Sequence, residues 1–166
     1  MERKRKIRPV EQIAPPGDGA QAIVRAAKSS DLVAISKLDQ RITGVSKPAY
    51  WQEMMRRYDG EAAEHYFLVA EDDGGALLGF VIGEIRAWEF GSPPAGWVFA
   101  INVDPETRLG GIGTRLFDEV CARFRTAGVR SVRTMVDRRD HLILSFFRSQ
   151  GMMAGPSLQL EMEIPS

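Results

Sequence analysis

One cysteine, two histidines and no long apolar run mark what this 166-residue chain does without. A lone Cys121 cannot form an intrachain disulfide, so no disulfide framework holds the fold and a reducing compartment is expected. His65 and His141 lie far apart and fit no metal-ligand spacing, so no structural metal is expected. No stretch approaches the roughly 20 apolar residues that span a bilayer. The basic start of the chain lacks the apolar core and small-residue cleavage site of a signal peptide. The expectation is a cytoplasmic protein with no membrane association. Net charge is absent as well, with 22 Lys and Arg against 22 Asp and Glu.

The charge is unevenly spread. Residues 1–8 hold Arg3, Lys4, Arg5, Lys6 and Arg8 against the single acid Glu2. Behind them, Pro9, Pro15, Pro16, Gly17 and Gly19 read as a linker. Residues 1–20 are therefore expected to be a solvated basic tail, and 21–166 a single domain. Nothing beyond the tail continues a basic surface with interleaved aromatics, so nucleic acid is not the expected partner. A salt-sensitive nucleic-acid binder led by the tail would lose its binding with residues 1–20. The chain is 44% hydrophobic and 27% charged, ordinary for a globular protein that buries its own core.

Periodicity supplies the elements. A short strand is expected at Ala22–Ala26, then a helix from about 31 to 42, with Ser29, Ser30 and Asp31 as N-cap candidates and Leu32, Ile35 and Leu38 at helical spacing. Pro48 suits a second helix start, followed by Tyr50, Trp51, Met54, Met55 and Tyr58 on one face. Tyr66–Ala70 and Ala76–Trp88 flank the turn Glu71-Asp72-Asp73-Gly74-Gly75 and read as a hairpin. Gly79, Val81 and Gly83 share a face of its second strand, which suggests close packing there. After the Phe90–Gly96 loop comes Trp97–Val103, apolar enough to be buried on both faces. A helix from Ile112 to Ala127, a strand Ser131–Val136, a helix Asp140–Ser149 and a strand Leu158–Ile164 complete an α/β order with a mixed sheet and flanking helices.

Between Val103 and the helix at Ile112 lies Arg108-Leu109-Gly110-Gly111-Ile112-Gly113-Thr114. A strand, a tight glycine turn and a helix start form an anion site. Opening helix amides lack internal partners, the helix dipole adds positive charge, and glycine lets backbone approach phosphate oxygens. Arg108 and Arg115 can add charge. A P-loop would need Lys followed by Ser or Thr, which is absent. A dinucleotide fingerprint starting at Gly111 and Gly113 meets Leu116 where its third glycine belongs.

Arg108-x-x-Gly111-x-Gly113 resembles the pyrophosphate loop of the GNAT N-acetyltransferase superfamily, which reads Arg/Gln-x-x-Gly-x-Gly/Ala. The lead-in Ile101-Asn102-Val103-Asp104-Pro105, the later Ser145–Met152 segment and the element order are similar to that family over about residues 21–164. The resemblance implies a GNAT-like acyl-CoA N-acyltransferase fold with acetyl-CoA as cosubstrate and no metal. It implies that Ile101, Asn102 and Val103 pair with the pantetheine arm where two parallel strands splay apart. Arg108, Leu109, Gly110, Gly111, Ile112, Gly113 and Thr114 would hold the pyrophosphate, and Asp140 and Phe147 are further coenzyme candidates.

The family chemistry is direct attack of an amine on the thioester. Val103 is implied as the backbone N–H donor to the carbonyl. Glu84, Glu89 and Asp137 are base candidates, each also readable as a surface carboxylate. The family's tyrosine acid falls on Phe147, which has no proton to give, leaving Ser145 or solvent for the thiolate. Cys121 reads as a small core residue. The alternative to an N-acetyltransferase is a non-catalytic CoA-binding or sensor module of the same fold. The resemblance also allows a homodimer. The acceptor amine, from a small molecule or a protein, would be set by the first two helices, Gly44–Lys47 and the Phe90–Gly96 loop.

Overall fold

The structure, a computed structural model, describes residues 22–58, 64–107 and 110–165. The basic tail and linker expected at 1–20 lie outside them, as do Arg108 and Leu109. The described residues fall into two compact units, 22–135 and 136–165.

The first unit is built on five strands in sequence order: β1 (Ile23–Ala26), β2 (His65–Glu71), β3 (Leu77–Arg86), β4 (Ala95–Val103) and β5 (Val132–Arg133). Neighbours pair antiparallel except β4 and β5, which are parallel. Helix α1 (Leu32–Thr43) and helix α2 (Pro48–Tyr58) lie between β1 and β2 in the chain, and α3 (Ile112–Thr126) joins β4 to β5. The result is the mixed sheet with flanking helices that the periodicity predicts.

Side-chain alternation sorts the two faces. Ile35 and Leu38 of α1 and Trp51, Met54, Met55 and Tyr58 of α2 form one buried cluster with Phe67, Val69, Phe80 and Ile82. Each such side chain buried contributes about 1.5–3 kcal/mol. The opposite face takes α3, whose Leu116, Val120 and Phe124 are fully buried. Glycines make that approach possible. A Cβ at Gly83 would stand 2.8 Å from Phe124 Cζ, one at Gly79 would stand 2.7 Å from the Asn102 carbonyl oxygen, and one at Gly96 would meet the Phe124 ring.

Several boundaries differ from the sequence reading. Asp31 stands at the N-cap of α1, but its carboxylate accepts from Arg25 and from the Lys28 N–H, not from a helix amide. β5 is two residues long where Ser131–Val136 was expected. Asp140 caps the next helix rather than joining it, its Oδ1 accepting from the Ile143 N–H at 3.0 Å. Trp97–Val103 is not buried on both faces, since Phe99 is exposed. A β-bulge explains it: Ile82 pairs with Ala100 and Gly83 with Val98, leaving Phe99 as an extra residue.

The second unit contains α4 (His141–Ser149), closed by Gly151 at φ 84°. The strand expected at Leu158–Ile164 does not form, and Leu158, Leu160, Met162 and Ile164 are all exposed. Alternation supplies a strand's pattern, but a strand also needs a neighbouring edge to complete its hydrogen bonds.

Candidate active site

β4 is paired on both edges at only one end. Gly96 and Trp97 pair with Val132 and Arg133 of β5, and the Gly96 N–H donates to the Ser131 carbonyl at 2.9 Å. From Val98 to Val103 no described strand lies on that edge. The direction of the backbone groups there follows from register. Asp104 N–H donates to Leu78 O at 2.8 Å, so residue 104 points toward β3. Alternation then turns the N–H and C=O of Val103 and Ile101 toward the uncovered edge.

The chain leaves β4 through a short turn that delivers it to α3. Thr107 N–H donates to Asp104 O at 2.9 Å, Gly110 N–H to Thr107 O at 3.0 Å, and Asp104 Oδ1 accepts from the Glu106 N–H at 3.1 Å. Gly111 is the N-cap of α3 in the left-handed region, φ 71°, where a Cβ costs roughly 1–2 kcal/mol. Arg115 N–H donates to Gly111 O at 3.1 Å, and the amides of Ile112 and Gly113 precede that bond at the opening of the helix. Arg115 Nη1 donates to the Ala22 carbonyl at 3.3 Å, so its guanidinium is engaged at the start of β1.

Glu84 lies elsewhere. On β3 it pairs opposite Trp97 and His65, five residues along from Gly79, the partner of Val103. At about 3.4 Å per residue that is roughly 17 Å, so Val103 and Glu84 are not brought together. Both Glu84 oxygens are engaged: Tyr58 Oη donates to Oε2 at 2.6 Å and Arg86 Nε to Oε1 at 2.6 Å. Burial pushes the carboxyl up, but these two donors outweigh it and hold it below the usual carboxylate range. Burial, then the bond to Glu84, raises the Tyr58 phenol well above its ordinary value. Glu89 sits after β3 with its carboxylate 3.9 Å from Arg86. Beside it Trp88 and Phe90 are exposed and left-handed, at φ 60° and 47°, a strained conformation for aromatic residues.

Asp137, Asp140, Ser145 and Phe147 belong to the second unit. Asp137 is exposed and accepts from Arg139 Nε, Nη2 and backbone N–H, and that guanidinium lowers its pKa. Ser145 is exposed on α4. Phe147 is buried, its ring 5.1 Å from that of Phe146. Cys121 is half-buried on α3, and burial, then Asp118, pushes its thiol up to about 11, which leaves no thiolate for nucleophilic work near neutral pH.

Sequence reasoning passed over Asp39, and read Tyr58 as part of the apolar face of α2 and not as a partner of Glu84. Asp39 had a signal, being an acid on the same helical stripe as Ile35, Leu38 and Ile42. It is buried, and its carboxylate accepts from Trp51 Nε1 at 3.0 Å. Among the described residues no group of three or more His, Cys, Asp or Glu is placed to hold a metal ion, and no helix is long and apolar enough to cross a membrane.

The open edge of β4, the glycine turn and the amino terminus of α3 follow one another along the chain, as the resemblance to acetyltransferases implies. The model of the acetyltransferase (GNAT) family matches residues 32–152, and the chain belongs to that family. It is similar to the L-2,4-diaminobutyric acid acetyltransferase of Nocardia farcinica, with 28% identity over 139 residues, covering 82% of this chain and 67% of that protein. Its fold matches an aminoglycoside antibiotic 6'-N-acetyltransferase from Acinetobacter baumannii, with TM-score 0.73, 17% identity, and coverage of 87% of this chain and 100% of that one. A transcriptional regulator from Bacillus halodurans C-125 matches with TM-score 0.72, 17% identity and the same coverage. An aminoglycoside N-acetyltransferase solved with coenzyme A matches with TM-score 0.75 and 15% identity, over 88% of this chain and 97% of that one.

Proposed function

We propose that this chain transfers an acetyl group from acetyl-CoA to a primary amine. The observation that carries the reading is the uncovered edge of β4 at Ile101 and Val103, continuous through one turn with the left-handed Gly111 and the opening amides of α3. The two parts suit the two ends of one molecule. An amide-containing arm needs a strand edge with free donors and acceptors. A pyrophosphate needs glycine backbone and a helix amino terminus. The described residues fit both demands. Ile101 and Val103 turn backbone groups toward the arm, with Asn102 between them facing β3. Gly110 through Thr114 would surround the phosphates, Arg108 and Leu109 of the same motif lying outside the described residues.

Acetyl-CoA supplies an activated thioester. Attack forms a bond between the amine nitrogen and the acetyl carbon, breaks the carbon–sulfur bond and releases the coenzyme thiolate, while the nitrogen loses one proton. Val103 N–H stabilises the negative charge that develops on the thioester oxygen. The roughly 17 Å between Val103 and Glu84 keeps Glu84 from taking the amine proton directly when the carbonyl sits at Val103. Water, or Asp137, takes it. The thiolate is stable enough to leave unprotonated and collects its proton from solvent or Ser145. The relatives that acetylate diaminobutyrate and aminoglycosides support a small amine as acceptor.

Calorimetric titration with acetyl-CoA and a thiol-release assay across an amine panel test this reading. Saturable coenzyme binding with amine-dependent thiol release is expected. Tight coenzyme binding without turnover for any amine would make the chain a binding module instead. Asp137→Asn and Ser145→Ala, assayed against pH, separate the chain's own proton transfers from those of water.

A further inference from the structure

Among the described residues, Asp39 is the one buried polar or charged residue, 2% exposed. Its carboxylate draws donors from three other segments of the first unit. Trp51 Nε1 of α2 and Lys47 Nζ of the α1–α2 connection each lie 3.0 Å from Oδ2, and Asn102 Nδ2 of β4 lies 3.5 Å from Oδ1, the limit of hydrogen-bond range. The Lys47 ammonium also stands 5.7 Å from the Tyr50 ring centroid and 5.9 Å from that of Trp51. Two residues further along α1, Arg41 Nη2 pairs with Asp104, directly after β4, at 2.5 Å.

A carboxylate is a costly choice for this place. Burying a charge costs several kcal/mol unless a partner offsets it, and Trp51 Nε1 at Oδ2 needs only a neutral oxygen, which asparagine would supply, its NH2 then facing the longer 3.5 Å contact to Asn102. Lys47 is the group that needs the negative charge. It also shares this carboxylate with Asn102, one residue before Val103, where the acceptor must come when the thioester carbonyl sits at Val103. An amine acceptor is cationic before it reacts, and an unmasked ammonium in its path would repel it.

We propose that Asp39 is a positioning residue that masks Lys47, holding its ammonium against α1 so that the α1–α2 connection offers no free positive charge to a cationic acceptor at the end of β4. The inference rests on the acetyltransfer reading above and adds the acceptor's charge class and the residue that admits it. It also separates shape from charge. Asp39→Asn keeps the oxygen for Trp51 and leaves Lys47 uncompensated.

The test is steady-state kinetics on the full chain with L-2,4-diaminobutyrate and an aminoglycoside as probes, at low and high NaCl, with coenzyme affinity measured by calorimetry. Asp39→Asn is expected to raise the acceptor KM roughly five- to tenfold at low salt, as repulsion between like charges several ångströms apart predicts. High salt should remove most of that rise. The kcat and the coenzyme Kd should stay within about twofold of wild type on the same Coulomb arithmetic, the change being confined to the acceptor's path. Adding Lys47→Met should restore the acceptor KM. An unchanged KM, or a rise that neither salt nor Lys47→Met relieves, overturns the masking role. Should Asp39→Asn fail to fold, Lys47→Met alone decides: an acceptor KM at or below wild type supports masking, and a higher one shows that Lys47 engages the acceptor itself. A wild-type chain that binds coenzyme but acetylates no amine overturns the acetyltransfer reading and this inference with it. Wild-type turnover with the wrong variant pattern overturns the inference alone.

Discussion

At Gly96 and Trp97, β4 has a strand on each side, and the Phe124 ring of α3 lies on the Gly96 backbone. Six residues on, at Val103, the same strand has β3 on one edge and no described strand on the other. The first end is closed by packing so tight that it excludes a Cβ. The second keeps backbone groups turned outward, which is costly unless something else bonds them. The contrast separates stability from function along a single strand. Substitutions at the closed end should cost the fold, and substitutions toward the open end should cost binding.

The sharpest way to break that contrast is Gly96→Val. The new side chain would meet the Phe124 ring, and the loss of stability should be about 4 kcal/mol or more, visible in urea denaturation as a chain partly unfolded in water. A melting curve near wild type would mean that α3 yields easily at this end. Next in size is Gly111→Val at the opposite end. It strains the left-handed N-cap and puts a branched side chain where phosphate oxygens should approach. Coenzyme affinity should fall about a hundredfold, roughly 2.7 kcal/mol, while circular dichroism keeps the native spectrum. Unchanged affinity would sink the phosphate assignment.

Smaller effects sharpen the picture between the two ends. Tyr58→Phe removes a hydrogen bond to a charged group and should cost about 1–2 kcal/mol at neutral pH. Glu84 is depressed in the folded chain, so its contribution is present above the ordinary carboxyl value of 4.5 that it takes when unfolded, and is lost as pH falls through the lower folded pKa. The stability gap between wild type and Tyr58→Phe should therefore narrow toward low pH. A gap that does not change with pH would mean that the phenol acts by packing alone. The smallest expected loss is at β1, where Arg25 bridges Asp31 at 2.7 and 2.9 Å and Glu71 at 2.5 and 2.9 Å. Arg25→Met should cost about 1 kcal/mol, less in high salt, because the group is partly exposed.

Much of the fold was legible because its signals are local. The apolar spacing of α3, Pro48 at the start of α2, and the Asp72–Gly75 turn between β2 and β3 each depend on residues within a few positions of one another. The glycine turn was legible for the same reason, since its conformation is a property of Gly110, Gly111 and Gly113. Pattern misled where pairing decides. Leu158–Ile164 alternates as a strand does yet lies exposed, and Ser131–Val136 shrinks to two paired residues. The bulge at Phe99 left no mark in the sequence, because it exists only against the register of β3.

The sequence by itself determined the class of chemistry. The strand end at Val103, the glycine turn and the helix behind it are contiguous, so their order on the chain is already their order in space. Only the tertiary structure decided which edge of β4 stays open, that Val103 and Glu84 stand roughly 17 Å apart on the strand spacing, and that Asp39 meets Lys47, Trp51 and Asn102. Each of these is a relation between segments distant in sequence, set by how helices pack and strands register, and neither composition nor local spacing encodes it.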